Sequence, residues 1–320
     1  MFLINYLQNK GGLHMAQNEA PIILDETEQK IIDIIDAHRD QIIDFAKDIY
    51  THAELGYKEF RTAEKFANFM KALGLPTKEH LAVTGVKAYL NEEKKDNVSL
   101  ALIGELDALR IPEHKYANPE TQGAHCCGHH AQLAGVIGAA IALTNPEVKE
   151  KLDGQVVLFA VPAEEYGEIE FKNKLTDEGK IKYGSGKCEL IRIGAFDDID
   201  LDIVHHIGDK DISGGSTDVG DVQHIQPVLT FNTGGKVSGL HSVDFDIVDD
   251  ELAYVVTAKI FALSAYRLLK NDAEKAKEVV ENYHPIFTKD AYIQYMNSFI
   301  SVEGGSPTEI NAPRGCAVIL

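Results

Sequence analysis

Three apolar runs in this chain each finish in residues suited to proton transfer or metal binding. Val98 to Gly104 leads into Glu105-Leu106-Asp107-Ala108. Gln155 to Val161 leads into Pro162-Ala163-Glu164-Glu165, and Leu201 to Val204 into His205-His206. Short, continuous apolar runs separated by segments of helical period predict strands buried on both faces of a sheet. In open α/β sheets the chemistry gathers beyond the carboxyl ends of the strands. The expected fold is therefore α/β: three layers, with a mostly parallel central sheet and helices on both faces. Three charged strand ends in succession place a candidate site along one sheet edge.

A fourth stretch, Ala124-His125-Cys126-Cys127-Gly128-His129-His130, holds three histidines and two of the four cysteines. The small apolar residues Ala131 to Leu143 follow, so the stretch predicts a ligand-bearing loop feeding the N-terminus of a buried helix. Upstream, Asp25 to Tyr50 has helical period, and Arg61 to Leu73 predicts a second amphipathic helix closed by Gly74 and Pro76. Val83 to Leu90 reads as a strand and Phe171 to Tyr183 as a charged, exposed excursion. Lys187 to Ile193 reads as a short helix, and Val228 to Phe231 as a short strand. Gly234, Gly235 and Gly239 surround a loop ending at His241-Ser242. Asp249 to Leu269 predicts a long amphipathic helix, with shorter ones at Asp272 to Asn282 and Lys289 to Phe299.

Composition narrows the function. A net charge of -19 over 320 residues argues against nucleic acid and anionic membrane surfaces as partners. No apolar run reaches the roughly 20 residues of a membrane span. Four cysteines, two of them adjacent, suit a reduced compartment with metal-binding or reactive thiols better than a disulfide framework. The expected location is cytoplasmic. Residues 1–24 read as a disordered extension, with Met15 an alternative start, residues 25–300 as the catalytic, metal-binding domain, and residues 301–320 as a frayed tail. Cys316 lies one residue too far from the C-terminus for a prenylation box.

Cys127, His129, Glu164-Glu165, His205-His206 and His241 together offer thiolate, imidazole and carboxylate, a donor set suited to zinc or a similar divalent ion. Five ligands suit two ions better than one, and a metal pair can share a water and lower its pKa into the neutral range. Of the adjacent glutamates only one can point at a metal. The other is placed to accept the water's proton and pass it to a leaving amine. A competing reading makes Cys127 a nucleophile with His129 as its base, but no third, orienting group accompanies them.

Several motifs occur in a fixed order: His52-Ala53-Glu54-Leu55-Gly56, Gly104-Glu105-Leu106-Asp107-Ala108, His125-Cys126-Cys127-Gly128-His129, Pro162-Ala163-Glu164-Glu165, Gly215-Ser216-Thr217-Asp218-Val219-Gly220-Asp221 and Leu240-His241-Ser242. In this the chain resembles the dinuclear-metal amidohydrolases of the aminoacylase and carboxypeptidase type (metallopeptidase clan MH). Within them it looks most like the aminobenzoyl-glutamate and amino-acid-conjugate hydrolases. The resemblance implies hydrolysis of amide bonds in N-acyl or aminobenzoyl amino acids or small peptides. It also implies two divalent ions: zinc first, with manganese, cobalt or nickel as alternatives. Cys127, His129, Glu165, His206 and His241 would be the metal ligands, Cys127 bridging. Glu164 would be the general base, and Asp107 would orient a ligand imidazole. His130 departs from the family, which has Asp or Asn there. In the family a lid and dimerisation domain follows the strand ending in His206; here only Ile207 to Gly214 separates that strand from the Gly-Ser-Thr-Asp segment. A chain without the lid loses its usual dimerising surface, which leaves the oligomeric state open, a monomer included. The alternative reading is a lid-less metal-binding core with little or no catalysis.

Overall fold

The computed structural model describes residues 23–208 and 217–300. The N-terminal extension, most of the short junction after His206, and the C-terminal tail with Cys316 lie outside the described residues. Six strands form the main sheet: β1 (Thr77–Leu81), β2 (Gly85–Leu90), β3 (Ser99–Glu105), β4 (Gln155–Val161), β5 (Leu201–Ile207) and β6 (Val228–Thr233). Their order is β1-β2-β4-β3-β5-β6. β3 to β6 run mutually parallel, and β2 is antiparallel to β4 and to β1. The α/β expectation with a mostly parallel sheet is met.

Alternation along the strands divides the core into two layers, as the two-residue repeat of a strand requires. Leu100, Leu102, Val156, Leu158 and Ile203 face one side. There they meet α1 (Glu26–Ala37), α2 (Arg39–Thr51), α3 (Phe60–Ala72), α4 (His129–Leu143) and, later in the chain, the helix Val256–Leu269. Ala101, Ile103, Val157, Phe159 and Val204 face the other side. They are covered by α5 (Ile169–Asp177), α6 (Gly186–Arg192), α7 (Val219–Gln223) and, past α8 (Val256–Leu269) and α9 (Glu274–Asn282), by α10 (Lys289–Asn297). Every residue of α4 is buried, which suits its run of Ala, Gly, Leu, Ile and Val.

Four local expectations need correction. The period over Asp25 to Tyr50 is broken at His38, so two helices form rather than one. β1 has no counterpart in the sequence reading: Thr77-Lys78-Glu79-His80-Leu81 is too polar to signal a strand, because β1 lies at the sheet's edge with Lys78 and His80 in solvent and none of its residues buried. Phe171 to Tyr183 is exposed over most of its length but not throughout, since Lys172, Leu175, Ile181 and Tyr183 are buried and α5 packs on the sheet. The helix expected from Asp249 begins as a π-helical turn over Glu251–Val255 and is buried on most sides instead of amphipathic. By length and composition Glu251–Leu269 could cross a bilayer, yet most of it lies inside the fold.

The chain leaves β3 towards α4 on one face and leaves β4 towards α5 and α6 on the other. Adjacent strands whose exits diverge open a crevice at their carboxyl ends. β3, β4 and β5 are neighbours, so their three polar ends converge there.

One buried group away from the crevice carries a pH signature. The Asp202 carboxyl is fully buried, and only one of its oxygens accepts a hydrogen bond, from Gln226 Nε2 at 2.7 Å. Burial pushes it up to about 7. An acid whose folded pKa is raised leaves stability unaffected below its unfolded value near 4. Stability then falls by about 1.4 kcal/mol per pH unit until the folded pKa is passed. Asp202→Asn removes this term, so its stability gain over wild type is expected to grow between pH 4 and 7 and level off above. Urea denaturation at pH 4.5, 6 and 8 checks this.

A candidate metal centre

Gly128 and α4 set the geometry of the Cys/His loop. Gly128 has φ +93°, and a Cβ there would fall 2.2 Å from Ile207 Cγ2 of β5. Only glycine fits a left-handed turn pressed so closely on a neighbouring strand. The turn delivers Cys127 just ahead of the helix and His129 as its first residue. His241 arrives from the glycine-flanked loop, with its backbone N–H donating to Cys126 O at 2.9 Å and a φ of +59°. Ala163, between β4 and the glutamate pair, has φ +49°. Its N–H donates to the buried Glu59 carboxylate at 2.8 Å. Left-handed residues other than glycine cost energy and cluster where local geometry matters.

Most of the expected site residues fall into two adjoining groups, one of which also takes in Glu105, with His206 outside both. Ligand atoms of Cys127, Glu165 and His241 all lie within 4.8 Å of one another, and so do those of Glu105, His129 and Glu164. His241 Nε2 is 3.3 Å from Glu165 Oε1. His129 Nε2 is 3.0 Å from Glu105 Oε2, 3.8 Å from Glu164 Oε2 and 4.0 Å from Glu165 Oε1. His206 Nε2 lies 3.9 Å from Glu105 Oε2. Strand alternation sends His205 to the opposite face of the sheet, where it is fully buried and Nε2 pairs with Thr233 Oγ1 at 2.7 Å. Asp107 contacts His129, but the hydrogen bond runs from His129 Nδ1 to its main-chain carbonyl, at 2.8 Å. Its carboxylate is 3.3 Å from the same nitrogen and accepts from the Glu165 N–H at 2.9 Å.

The bond to a carbonyl makes His129 Nδ1 a donor. In neutral imidazole Nε2 is then an acceptor, yet it faces the carboxylate of Glu105. His129 Nε2 has no hydrogen-bond partner, although the residue is 1% exposed. Glu165 Oε1 is likewise buried and without a hydrogen-bond partner. Lone pairs converging in a buried space require a proton or a metal ion between them.

Without a metal ion, the charges adjust to one another. Burial disfavours imidazolium at His129, but Glu105 and Cys127 outweigh it and hold the group well above its ordinary value. The Cys127 thiol and the Glu165 carboxylate close beside it raise His241 to about 10, against its partial burial. Burial would raise Glu105, but Lys187 and His129 bring it well below the carboxylate range. Burial, reinforced by Glu105, pushes Glu164 up to about 8. Burial lowers His206.

Three participants escape sequence reasoning. Glu105 stands inside one of the ordered motifs without an evident role there. Lys187, fully buried at the start of α6, donates to Glu105 Oε1 at 2.5 Å and pairs with Asp218. Gln132, one turn into α4, brackets Glu105: Oε1 accepts its backbone N–H and Nε2 donates to Oε2, each at 2.8 Å. The only signal for Lys187 and Gln132 is a long polar residue beside an apolar run, which elsewhere in the chain marks solvent.

The chain is similar to known proteins in sequence and in fold. A profile of peptidase family M20/M25/M40 matches residues 101–314. IAA-amino acid hydrolase ILR1-like 2 of Arabidopsis thaliana is 30% identical over 175 residues, 52% of this chain and 38% of that protein. A component of the p-aminobenzoyl-glutamate hydrolase of Escherichia coli (strain K12) is 28% identical over 182 residues, 55% of this chain and 34% of that protein. The chain thus spans just over a third of the length of these curated relatives. In fold it is similar to the Bacillus subtilis YXEP protein, described as a dinuclear metal binding peptidase from the M20 family. The TM-score is 0.59 at 15% identity, over 73% of this chain and 98% of that one.

Gly128→Ala is expected to destabilise the protein by about 2–4 kcal/mol, through the left-handed φ and the clash with Ile207. Denaturant titration reads the loss. Ile207→Ala in the same background should recover part of it by opening space for the added methyl group.

Proposed function

The chain belongs to peptidase family M20/M25/M40, and on that premise we propose that it is a metal-dependent hydrolase of amide bonds in N-acyl or aminobenzoyl amino acids or small peptides. The observation that carries the reading is the buried His129 Nε2, 3.0 Å from Glu105 Oε2 and facing the carboxylates of Glu164 and Glu165 as well. The donor set fits two divalent ions. Cys127, Glu165 and His241 would hold one, His129 and His206 the other, with Cys127 placed between. Soft thiolate and imidazole favour zinc, while the carboxylates also admit manganese or cobalt.

Bound there, such ions would polarise a scissile carbonyl and acidify a water molecule. The chain's own contribution is proton handling and positioning. Glu164 is the group for proton transfer: it sits beside the centre, with its carboxyl held near neutrality by burial and by Glu105. A carboxylate there can take a proton from the attacking water and return it to the leaving amine. Asp107 fixes the ring of His129 through its carbonyl and the Glu165 backbone through its side chain. Glu59 holds the turn at Ala163 that aims both glutamates. Beside Glu165 a shallow cleft is lined by Leu55, Gly56, Leu109 and Arg110.

The short junction expected in place of the family's lid favours a second reading, a metal-binding core without turnover. A lid that closes over substrate supplies orientation and excludes water, effects worth several kcal/mol. Turnover of N-acyl amino acids after loading with zinc, manganese or cobalt separates the two. The hydrolase reading expects Glu164→Gln to lower kcat by about 10²–10⁴-fold while metal content stays unchanged. Wild-type turnover no greater than that of the variant contradicts it.

Metal loading is also expected to release protons, because imidazole and thiol ligands bind an ion only in their deprotonated forms. Calorimetry in buffers of different ionisation enthalpy should show a net release of protons on loading, and a binding heat independent of the buffer would contradict it.

A further inference from the structure

Glu105 occupies a position that the five expected ligands leave unexplained. It ends β3, the central strand at the crevice, and is fully buried. A carboxylate has about four acceptor positions. Lys187 takes one on Oε1, and Gln132 takes one on Oε2. The remaining face of Oε2 is turned to two imidazole nitrogens, His129 Nε2 at 3.0 Å and His206 Nε2 at 3.9 Å. Ligand atoms about 2.1 Å from one ion can be at most about 4.2 Å apart. Both separations satisfy that limit.

Charge leads to the same residue. On the expected ligand set, the ion between His129 and His206 would have two neutral nitrogens and a share of one thiolate. A dication buried with so little countercharge is costly. Lys187 does not cancel Glu105, because the Lys187 ammonium is itself matched by Asp218, which also accepts from Ser185 Oγ and the Lys187 N–H.

We propose that Glu105 is a sixth protein ligand, binding through Oε2 the divalent ion held by His129 and His206, with Lys187, Asp218 and Gln132 fixing the carboxylate in that orientation. The proposal rests on the metal-hydrolase reading above. It makes the two seats chemically unlike. One combines thiolate, carboxylate and imidazole; the other combines carboxylate with two imidazoles and suits a harder ion. Lys187 is then a positioning residue, since it reaches the metal centre only through Glu105.

The test uses the whole chain. Crystals of wild-type protein loaded with manganese are expected to show an anomalous peak within about 2.3 Å of Glu105 Oε2 and of both imidazole nitrogens. In parallel, Glu105→Gln keeps the shape and a carbonyl for Lys187 but removes the charge. Manganese titration of it is expected to show one ion bound as in wild type and the second weakened at least about 100-fold. Lys187→Met, with Glu105 intact, should weaken the same ion about 10-fold and leave the other unchanged. An ion on His129 and His206 with Glu105 Oε2 beyond about 3 Å overturns the proposal and leaves the hydrolase reading standing. So does a Glu105→Gln variant that binds both ions as wild type does. Absence of any ion from both groups in wild type overturns the reading and the proposal together. Should Glu105→Gln fail to fold, the anomalous peak in wild type decides alone.

Discussion

Two acceptors facing each other in a buried space govern this structure. His129 is committed through Nδ1 to the carbonyl of Asp107, so its other nitrogen meets Glu105 with a lone pair. The surrounding fold holds both groups where they are. Glu105 is fixed by Gln132 from α4 and Lys187 from α6, that is, from both faces of the sheet. His129 is fixed by being the first residue of a helix with no exposed side. Neither can turn away, so the cluster must hold protons or cations. Other features follow from that need: the raised His241 and Glu164, the depressed Glu105, and the buried unpartnered oxygen of Glu165.

Sheet topology brings these groups together. β4, β3 and β5 are adjacent, and their carboxyl ends carry Glu164-Glu165, Glu105 to Asp107, and His206. The exits from β3 and β4 pass to opposite faces, leaving the space above them open for the Cys127 loop and for His241. Backbone devices then set the aim: the left-handed Gly128 against Ile207, the left-handed Ala163 tied to Glu59, and the bond from the His241 N–H to Cys126.

Much of this is legible in the residue pattern, for identifiable reasons. Buried parallel strands write themselves as unbroken apolar runs, so β3, β4 and β5 and their polar ends stand out. Helix α4 does so for the same reason. The choice between His205 and His206 needs the register of β5 and what packs on either face, which pattern alone does not carry. Glu105 and Lys187 stay hidden because a charged residue next to an apolar run ordinarily lies in solvent; only the fold shows that they meet across 82 residues of chain. β1 and α5 escape or mislead because an edge strand and a helix resting on a sheet keep many polar residues in solvent. The break at His38 leaves both helices with apolar faces in phase, so periodicity runs through it.

The central claim is that the convergent carboxylates, thiol and imidazoles form a seat for divalent cations. A ligand that binds only the folded state raises stability with the logarithm of its concentration. The most direct measurement is thermal unfolding of chelator-stripped protein titrated with zinc or manganese. The account predicts a melting temperature that climbs steadily with cation concentration, and a climb that largely disappears in His129→Ala. A melting temperature indifferent to zinc and manganese, or an equal rise in the variant, would contradict it.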